Sequence, residues 1–265
     1  MPELPEVDQF TEYINRTALH KVITEIQVQT KSLIYKATAK DFKKTLVGKQ
    51  FKHARRRGKF TIITLEDADQ YVVMHFGMTG SVLYKKQKNL TDDEKEYAQV
   101  RFIFDNGYVL AWVNKRKFGK IYLVSSPDEI ATLKNMGPEP LDLSQKEFLD
   151  LLGQHERKNI KAFLMDQSDI AGIGNEYSNE ILFQAGVNPH HGIKDLSIRV
   201  RKKVYMVMQR VLKKALGVDT VDQEYPRAWL LAHAKGDMQC PKGDHALKKE
   251  TVAGRSAVYC PEHQK

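Results

Sequence analysis

The sequence predicts an α+β protein of several domains, and three observations carry that prediction. Short β-branched or aromatic segments fill about the first 125 residues. From residue 128 the apolar residues recur at helical spacing instead. The stretch 222–265 is too polar and too short to build a core alone, yet both cysteines of the chain, Cys240 and Cys260, lie in it.

In chain order, residues 3–17 read as a helix: Pro2 is tolerated at its start, Glu3 and Glu6 suit its positive end, and Val7, Phe10 and Ile14 share a face. KVITEIQVQ, KFTIITLE, YVVMHF, SVLYKK, VRFIFD, YVLAWV and KIYLVS follow as strands of a β-sandwich or barrel. The acidic run TDDEKE at 91–96 reads as an exposed loop. After Gly137-Pro138, LSQKEFLDLLG, KNIKAFLMDQ, NEYSNEILFQAG and LSIRVRKKVYMVMQRVLKKAL predict helices. The expected domains are 1–127, 128–221 and 222–265.

At 265 residues and 42% hydrophobic content the chain can bury a real core. No apolar run approaches the ~18 residues of a membrane span, and the N-terminus lacks the pattern of a secretory leader, so a cytoplasmic protein is expected. The net charge of +9 points to an anionic partner. Its cations cluster at Lys52–Lys59, Lys115–Lys120 and Arg157–Lys161. Two cysteines are too few for a disulfide framework, and their place near the C-terminus raises a local metal site instead.

Pro2 follows the initiator Met1, and removal of Met1 leaves a secondary amine at the chain end. Such an amine titrates near ~8 and can form a Schiff base with a sugar aldehyde, with Glu3 beside it for proton transfer. Taken alone, Pro2 reads first as a plain helix start.

Distant segments agree with the chemical reading. PELPEV at 2–7 resembles the start of formamidopyrimidine-DNA glycosylases. In family order follow RRRGKF at 55–60, HFGMTG at 75–80, KRKFGK at 115–120, NMGPEPL at 135–141, NIKAFLMDQ at 159–167 and GIGNEYSNEILFQAGVNP at 172–189. The chain thus resembles the formamidopyrimidine-DNA glycosylase and endonuclease VIII family. That resemblance implies an N-terminal β-sandwich, a helix-two-turn-helix domain, a C-terminal zinc-finger hairpin, and double-stranded DNA with an oxidised base or abasic site as partner. It implies a bifunctional glycosylase and abasic-site lyase of base excision repair. Pro2 would be the nucleophile, Glu3 the acid/base group and Lys59 a phosphate ligand beside the lesion. Met78, Arg116 and Phe118 would fill the gap left by the everted nucleotide. Asn175, Lys161, His75 and Arg255 are further candidates for DNA contact, Asn175 because the glycine-rich GIGN lets backbone amides approach a phosphate. A monomer is expected, since no oligomerisation signal is present.

The tail departs from the family. CPKGDH at 240–245 and CPEH at 260–263 stand where two Cys-x-x-Cys pairs are usual, with Gly243 and His263 at cysteine positions. Cys240, His245, Cys260 and His263 would supply four ligands for one structural zinc ion, with Asp244 a substitute for His245. AHAKGDMQC and the stretch from Leu212 to Cys240 also depart from the purine-specific branch. Oxidised purines such as 8-oxoguanine, formamidopyrimidines, oxidised pyrimidines and hydantoins all remain candidate substrates. A damaged-DNA-binding protein that keeps the fold without catalysis is the main rival, and intact Pro2, Glu3 and Lys59 speak against it.

Overall fold

The computed structural model describes residues 1–217 and 225–265; the expected domain boundary at 221/222, and part of the stretch from Leu212 to Cys240, lie outside them. Contacts divide the chain into two units. The first comprises Met1–Pro2 and Glu6–Lys134, the second Glu3–Pro5 and Asn135–Lys265.

The first unit grows from strands whose alternate residues are apolar. One antiparallel sheet has the order β1-β7-β8-β6, with β1 Ile23–Val28, β6 Gly80–Lys86, β7 Ala98–Phe104 and β8 Tyr108–Asn114. The other has the order β2-β9-β5-β4-β3, with β2 Ile34–Tyr35, β3 Phe51–Arg57, β4 Phe60–Leu65, β5 Ala68–His75 and β9 Lys120–Val124. Val100, Phe102 and Phe104 from β7 share one core with Ile63, Leu65, Val72 and Met74 from β4 and β5. Helix α1, Leu4–Thr17, adds Val7, Phe10 and Ile14 to it, so the sandwich is closed by the predicted apolar face. Helix α2, Ala39–Leu46, capped by Thr38, buries Phe42 and Leu46 there; its short amphipathic run was not among the expected elements.

The loop expected at 91–96 is a helix, α3, Asp92–Tyr97. A capping box of Thr91 and Glu94 starts it, and three acids occupy its positive first turn. The outer face of β7 and β8 needs cover: Val109, Ala111 and Val113 are buried there with Leu90 and Tyr97. Composition alone concealed the helix because it brings so little apolar surface of its own.

Helix α4, Ala131–Lys134, ends the first unit; in the second, the residues from 135 onward carry α5, Gln145–Gln154, α6, Ile160–Met165, α7, Asn175–Ala185, and α8, Ile198–Leu216. Phe148, Phe163, Tyr177, Ile181, Leu182, Val204, Met208 and Val211 form its core. Helix α7 is buried along most of its length, which accounts for its weak amphipathic signal. The hairpin of β10, Lys248–Val252, and β11, Arg255–Tyr259, packs in this unit too.

Candidate active site and nucleic-acid interface

The chain end is organised by backbone donors. Glu3 is 1% exposed. Its Oε2 accepts from Gly174 N (2.6 Å) and Tyr177 N (3.3 Å), and its Oε1 from Glu176 N (2.9 Å). Gly174, the N-cap of α7, has no side chain to satisfy these groups, so the Glu3 carboxylate caps the helix across more than 170 residues of sequence. Leu4 N donates to Gly172 O at 2.9 Å. Gly172 has φ +81°, and a Cβ there would lie 2.8 Å from the Cβ of Leu4, so only glycine lets the two segments meet. The amides expected to face a phosphate at GIGN are thus directed in good part at Glu3. Pro2, its covalent neighbour, is half-buried. While Met1 is attached, the Pro2 nitrogen is a tertiary amide without a nucleophilic lone pair.

Lys161 is fully buried, which removes it as a direct DNA contact. Its Nζ donates to Asn179 Oδ1 (2.6 Å), Ser178 Oγ (2.8 Å) and Asn175 O (3.4 Å). Burial pulls its pKa down to about 8, with the charge of Glu3 opposing. Lys161 therefore braces the first turns of α7. Asn175 opens that helix, half-buried, and its Oδ1 is a buried atom with no hydrogen-bond partner. The amide can turn over, so this unspent capacity suits a ligand with donors or acceptors alike.

The wedge candidates sit on two loops of the first unit that are tied together. Met78 is 44% and Phe118 55% exposed, unusual for large apolar side chains. The Arg116 guanidinium lies 5.2 Å from the centre of the Phe118 ring. Beneath them, buried Asn114 donates from Nδ2 to Phe76 O (2.9 Å) and accepts on Oδ1 from Phe118 N (3.2 Å). Thr79 Oγ1 accepts from Arg116 N at 3.2 Å. Gly77, at φ +62°, allows backbone contact: a Cβ there would meet Phe118 C at 2.5 Å. Sequence reasoning missed Asn114 and Thr79; the one hint was a polar residue ending an apolar strand just before KRKFGK. Asn114→Ala, which leaves Phe76 O and Phe118 N without this partner, is expected to lower melting and to weaken binding to abasic-site DNA by about tenfold. Isothermal titration on the variant checks this.

Lys59 lies in the β3–β4 turn and is 7% exposed. His75 pairs with Phe60 in register, their rings 4.8 Å apart. Burial, with the Lys59 and Lys120 charges adding, lowers the His75 pKa to about 4. In the free protein His75 is therefore held as a neutral ring at physiological pH. Arg255 is exposed at the tip of the β10–β11 hairpin, paired with Val252 across a turn in which Ala253 and Gly254 both have positive φ.

Of the predicted zinc ligands, the two thiols come together while the two histidines turn elsewhere. Cys240 and Cys260 are buried in one apolar cluster with Phe183, Leu230, Leu247 and Val258. His263 turns toward α7: its Nε2 lies 2.9 Å from Phe183 O and 3.1 Å from Lys242 Nζ. The His245 ring folds back beside Gly243, where a Cβ would lie 3.3 Å from its Nε2. Among the described residues no group of three or more His, Cys, Asp or Glu side chains could hold a metal ion, and Asp244 does not complete one. Cys240, His245, Cys260 and His263 therefore do not form such a group together.

Comparison with known proteins agrees with this arrangement. The formamidopyrimidine-DNA glycosylase N-terminal domain matches residues 1–121, and the family's helix-two-turn-helix domain matches residues 136–224. The formamidopyrimidine-DNA glycosylase of Carboxydothermus hydrogenoformans is 33% identical, with 100% of both chains covered. That of Desulfitobacterium hafniense is 30% identical over 98% of both. Among solved structures, the Lactococcus lactis enzyme bound to DNA containing an abasic site superposes with a TM-score of 0.83 at 26% identity, covering 99% of each chain. The wild-type Lactococcus lactis enzyme with N7-benzyl-Fapy-dG DNA gives a TM-score of 0.85 at 25% identity over 100% of each. The chain belongs to the formamidopyrimidine-DNA glycosylase family, the DNA glycosylases of base excision repair.

Proposed function

We propose that the protein excises oxidised bases from duplex DNA through the amine of Pro2 and then cuts the strand. The amine, freed by removal of Met1, attacks C1′ of the damaged nucleotide; the C1′–N bond breaks and the base leaves with a proton. The C1′–O4′ bond then opens, O4′ taking a proton, and the resulting iminium acidifies the C2′ proton; loss of that proton expels the 3′ phosphate, and loss of the C4′ proton then expels the 5′ phosphate, with no redox cofactor required by the electron count. Glu3 supplies a fixed negative charge beside the amine and a route for protons, while Lys59 holds a phosphate beside the lesion. Met78, Arg116 and Phe118 occupy the gap in the stack, and Asn175 and Arg255 bind the strand. The residues present do not fit zinc, and no step is assigned to one.

The observation that carries this reading is the Glu3 carboxylate, locked by three backbone N–H groups next to the only residue able to become an N-terminal secondary amine. A non-catalytic DNA-binding protein could use the helix cap but would have no use for a freed Pro2 amine beside it. Formamidopyrimidines and oxidised purines stand first among substrates, because the relatives carry that name and one was crystallised with a Fapy-dG lesion. Oxidised pyrimidines and hydantoins stand second, favoured by the divergent approach to Cys240. The first 127 residues supply the amine and wedge, residues 128–221 the helical DNA clamp and the remainder the hairpin. A cytoplasmic, nucleoid-associated monomer fits this role, and among the described residues no helix is long and apolar enough to cross a membrane.

The test is single-turnover excision on duplexes carrying Fapy-dG, 8-oxoguanine, thymine glycol or a hydantoin. Excision fastest on the ring-opened and oxidised purines is expected. Selective excision of thymine glycol would move the substrate assignment to pyrimidines, and binding without excision of any lesion would sink the enzymatic reading.

A further inference from the structure

The C-terminal hairpin raises its own question, since a short polar segment needs a staple and its two histidine candidates face away from the paired thiols. Three contacts take that place. Gln264, 1% exposed, accepts on Oε1 from Cys260 N (2.9 Å) and donates from Nε2 to Val187 O (2.8 Å). The main chain continues the seam: Lys265 N donates to Gly186 O (3.2 Å) and Asn188 N to Lys265 O (3.1 Å). Residues 186–188 directly follow α7, whose terminal carbonyls need donors from outside the helix.

The second contact is cationic. Lys242 places its ammonium 5.1 Å from the centre of the Phe183 ring and 3.1 Å from His263 Nε2, at the negative end of α7. A dication bound through His263 would meet that ammonium at close range. The third is polar and lies on the hairpin itself. Glu250 on β10 accepts from Tyr259 OH (3.0 Å) on β11 and pairs with His190 Nε2 (2.9 Å), whose ring meets that of Tyr259 edge-on. Cys240 and Cys260 then serve as small buried residues beneath these ties, joined by no disulfide and with their thiols against each other.

We propose that this hairpin folds and engages DNA without a metal ion, closed by the Gln264 clamp, the Lys242–His263 pair on the end of α7 and the His190–Glu250–Tyr259 cluster. The family's zinc is replaced by hydrogen bonds to the residues around the α7 C-terminus.

The experiment uses the whole protein and needs no catalytic activity. Metal content is measured by mass spectrometry after purification from zinc-supplemented medium. Melting and affinity for a duplex carrying a tetrahydrofuran abasic analogue are then followed with and without a strong zinc chelator. Zinc below about a tenth of an equivalent, with melting and affinity unmoved by chelator, is expected, since structural zinc otherwise contributes directly to folding. Gln264→Ala should lower melting and weaken duplex binding by about tenfold, because it leaves a buried carbonyl and amide unpaired. Cys240→Ala should stay within about threefold of wild type in affinity, since it removes one small buried group and no ligand. Stoichiometric zinc whose removal lowers melting, or a Cys240→Ala variant as impaired as a chelated protein, would overturn the proposal. Metal content and melting are read even if no lesion is excised, so this outcome is separable from failure of the enzymatic reading.

Discussion

Protein that retains Met1 is expected to give no borohydride-trapped adduct on abasic-site DNA, while the processed form traps in good yield. The reason is chemical. With Met1 attached, the Pro2 nitrogen has its lone pair delocalised into a carbonyl, and no Schiff base can form. Retention can be forced by inserting a bulky residue between Met1 and Pro2, which also displaces the amine. Pro2→Gly offers a gentler comparison: it keeps a terminal amine but as a primary one on a more mobile backbone, and a loss of about 10²-fold in trapping rate is expected from orientation alone. Duplex binding should survive in both. Equal trapping by the Met1-retaining form would place the nucleophile elsewhere.

Replacing Glu3 is expected to have the second largest effect. In Glu3→Gln an amide N–H₂ faces one or more of the N–H groups of Gly174, Glu176 and Tyr177, donor against donor. At least one buried amide loses its acceptor, costing about 1–3 kcal/mol. The fixed negative charge at the start of α7 disappears as well, and proton transfer beside the amine with it. Single-turnover excision should fall by about 10²-fold or more, with a lower melting temperature. Gly172→Ala serves as the control that touches no titratable group: its Cβ would press on Leu4 at a backbone angle alanine avoids. A parallel drop there would show that anchoring of residues 3 and 4 matters in itself, whereas a full-rate Gly172→Ala enzyme would leave the Glu3 effect to charge and proton transfer.

Much of this molecule could be read from residue order. The strands of the sandwich and the helices at 145–154, 175–185 and 198–216 follow from two-residue and helical spacing, and they lie where expected. Helix α3 could not, because its formation depends on a capping box and on a bare sheet face it must cover. Exposure of Met78 and Phe118 was legible only through motif resemblance, since in isolation both read as core residues. For Lys161 the sequence leaves DNA contact and a satisfied polar role equally open, and only the placement of Ser178 and Asn179 shows why burial is tolerated.

The tail gives the sharpest contrast between composition and structure. Two cysteines and two histidines at ribbon spacing make a plausible tetrahedral set, yet spacing says nothing of where each ring turns. His263 is held by a backbone carbonyl and Lys242 by the end of α7, a pairing that has no signature along the chain. Gln264 likewise looks like an ordinary polar residue near a terminus until its two buried hydrogen bonds are seen.

The most direct test of the central claim is to locate the covalent bond. Processed protein is reduced with borohydride on abasic-site DNA, digested, and the modified peptide sequenced by mass spectrometry. The account predicts a deoxyribose remnant on the nitrogen of Pro2 in the N-terminal peptide. An adduct on a lysine instead, such as Lys59 in the β3–β4 turn, would contradict it.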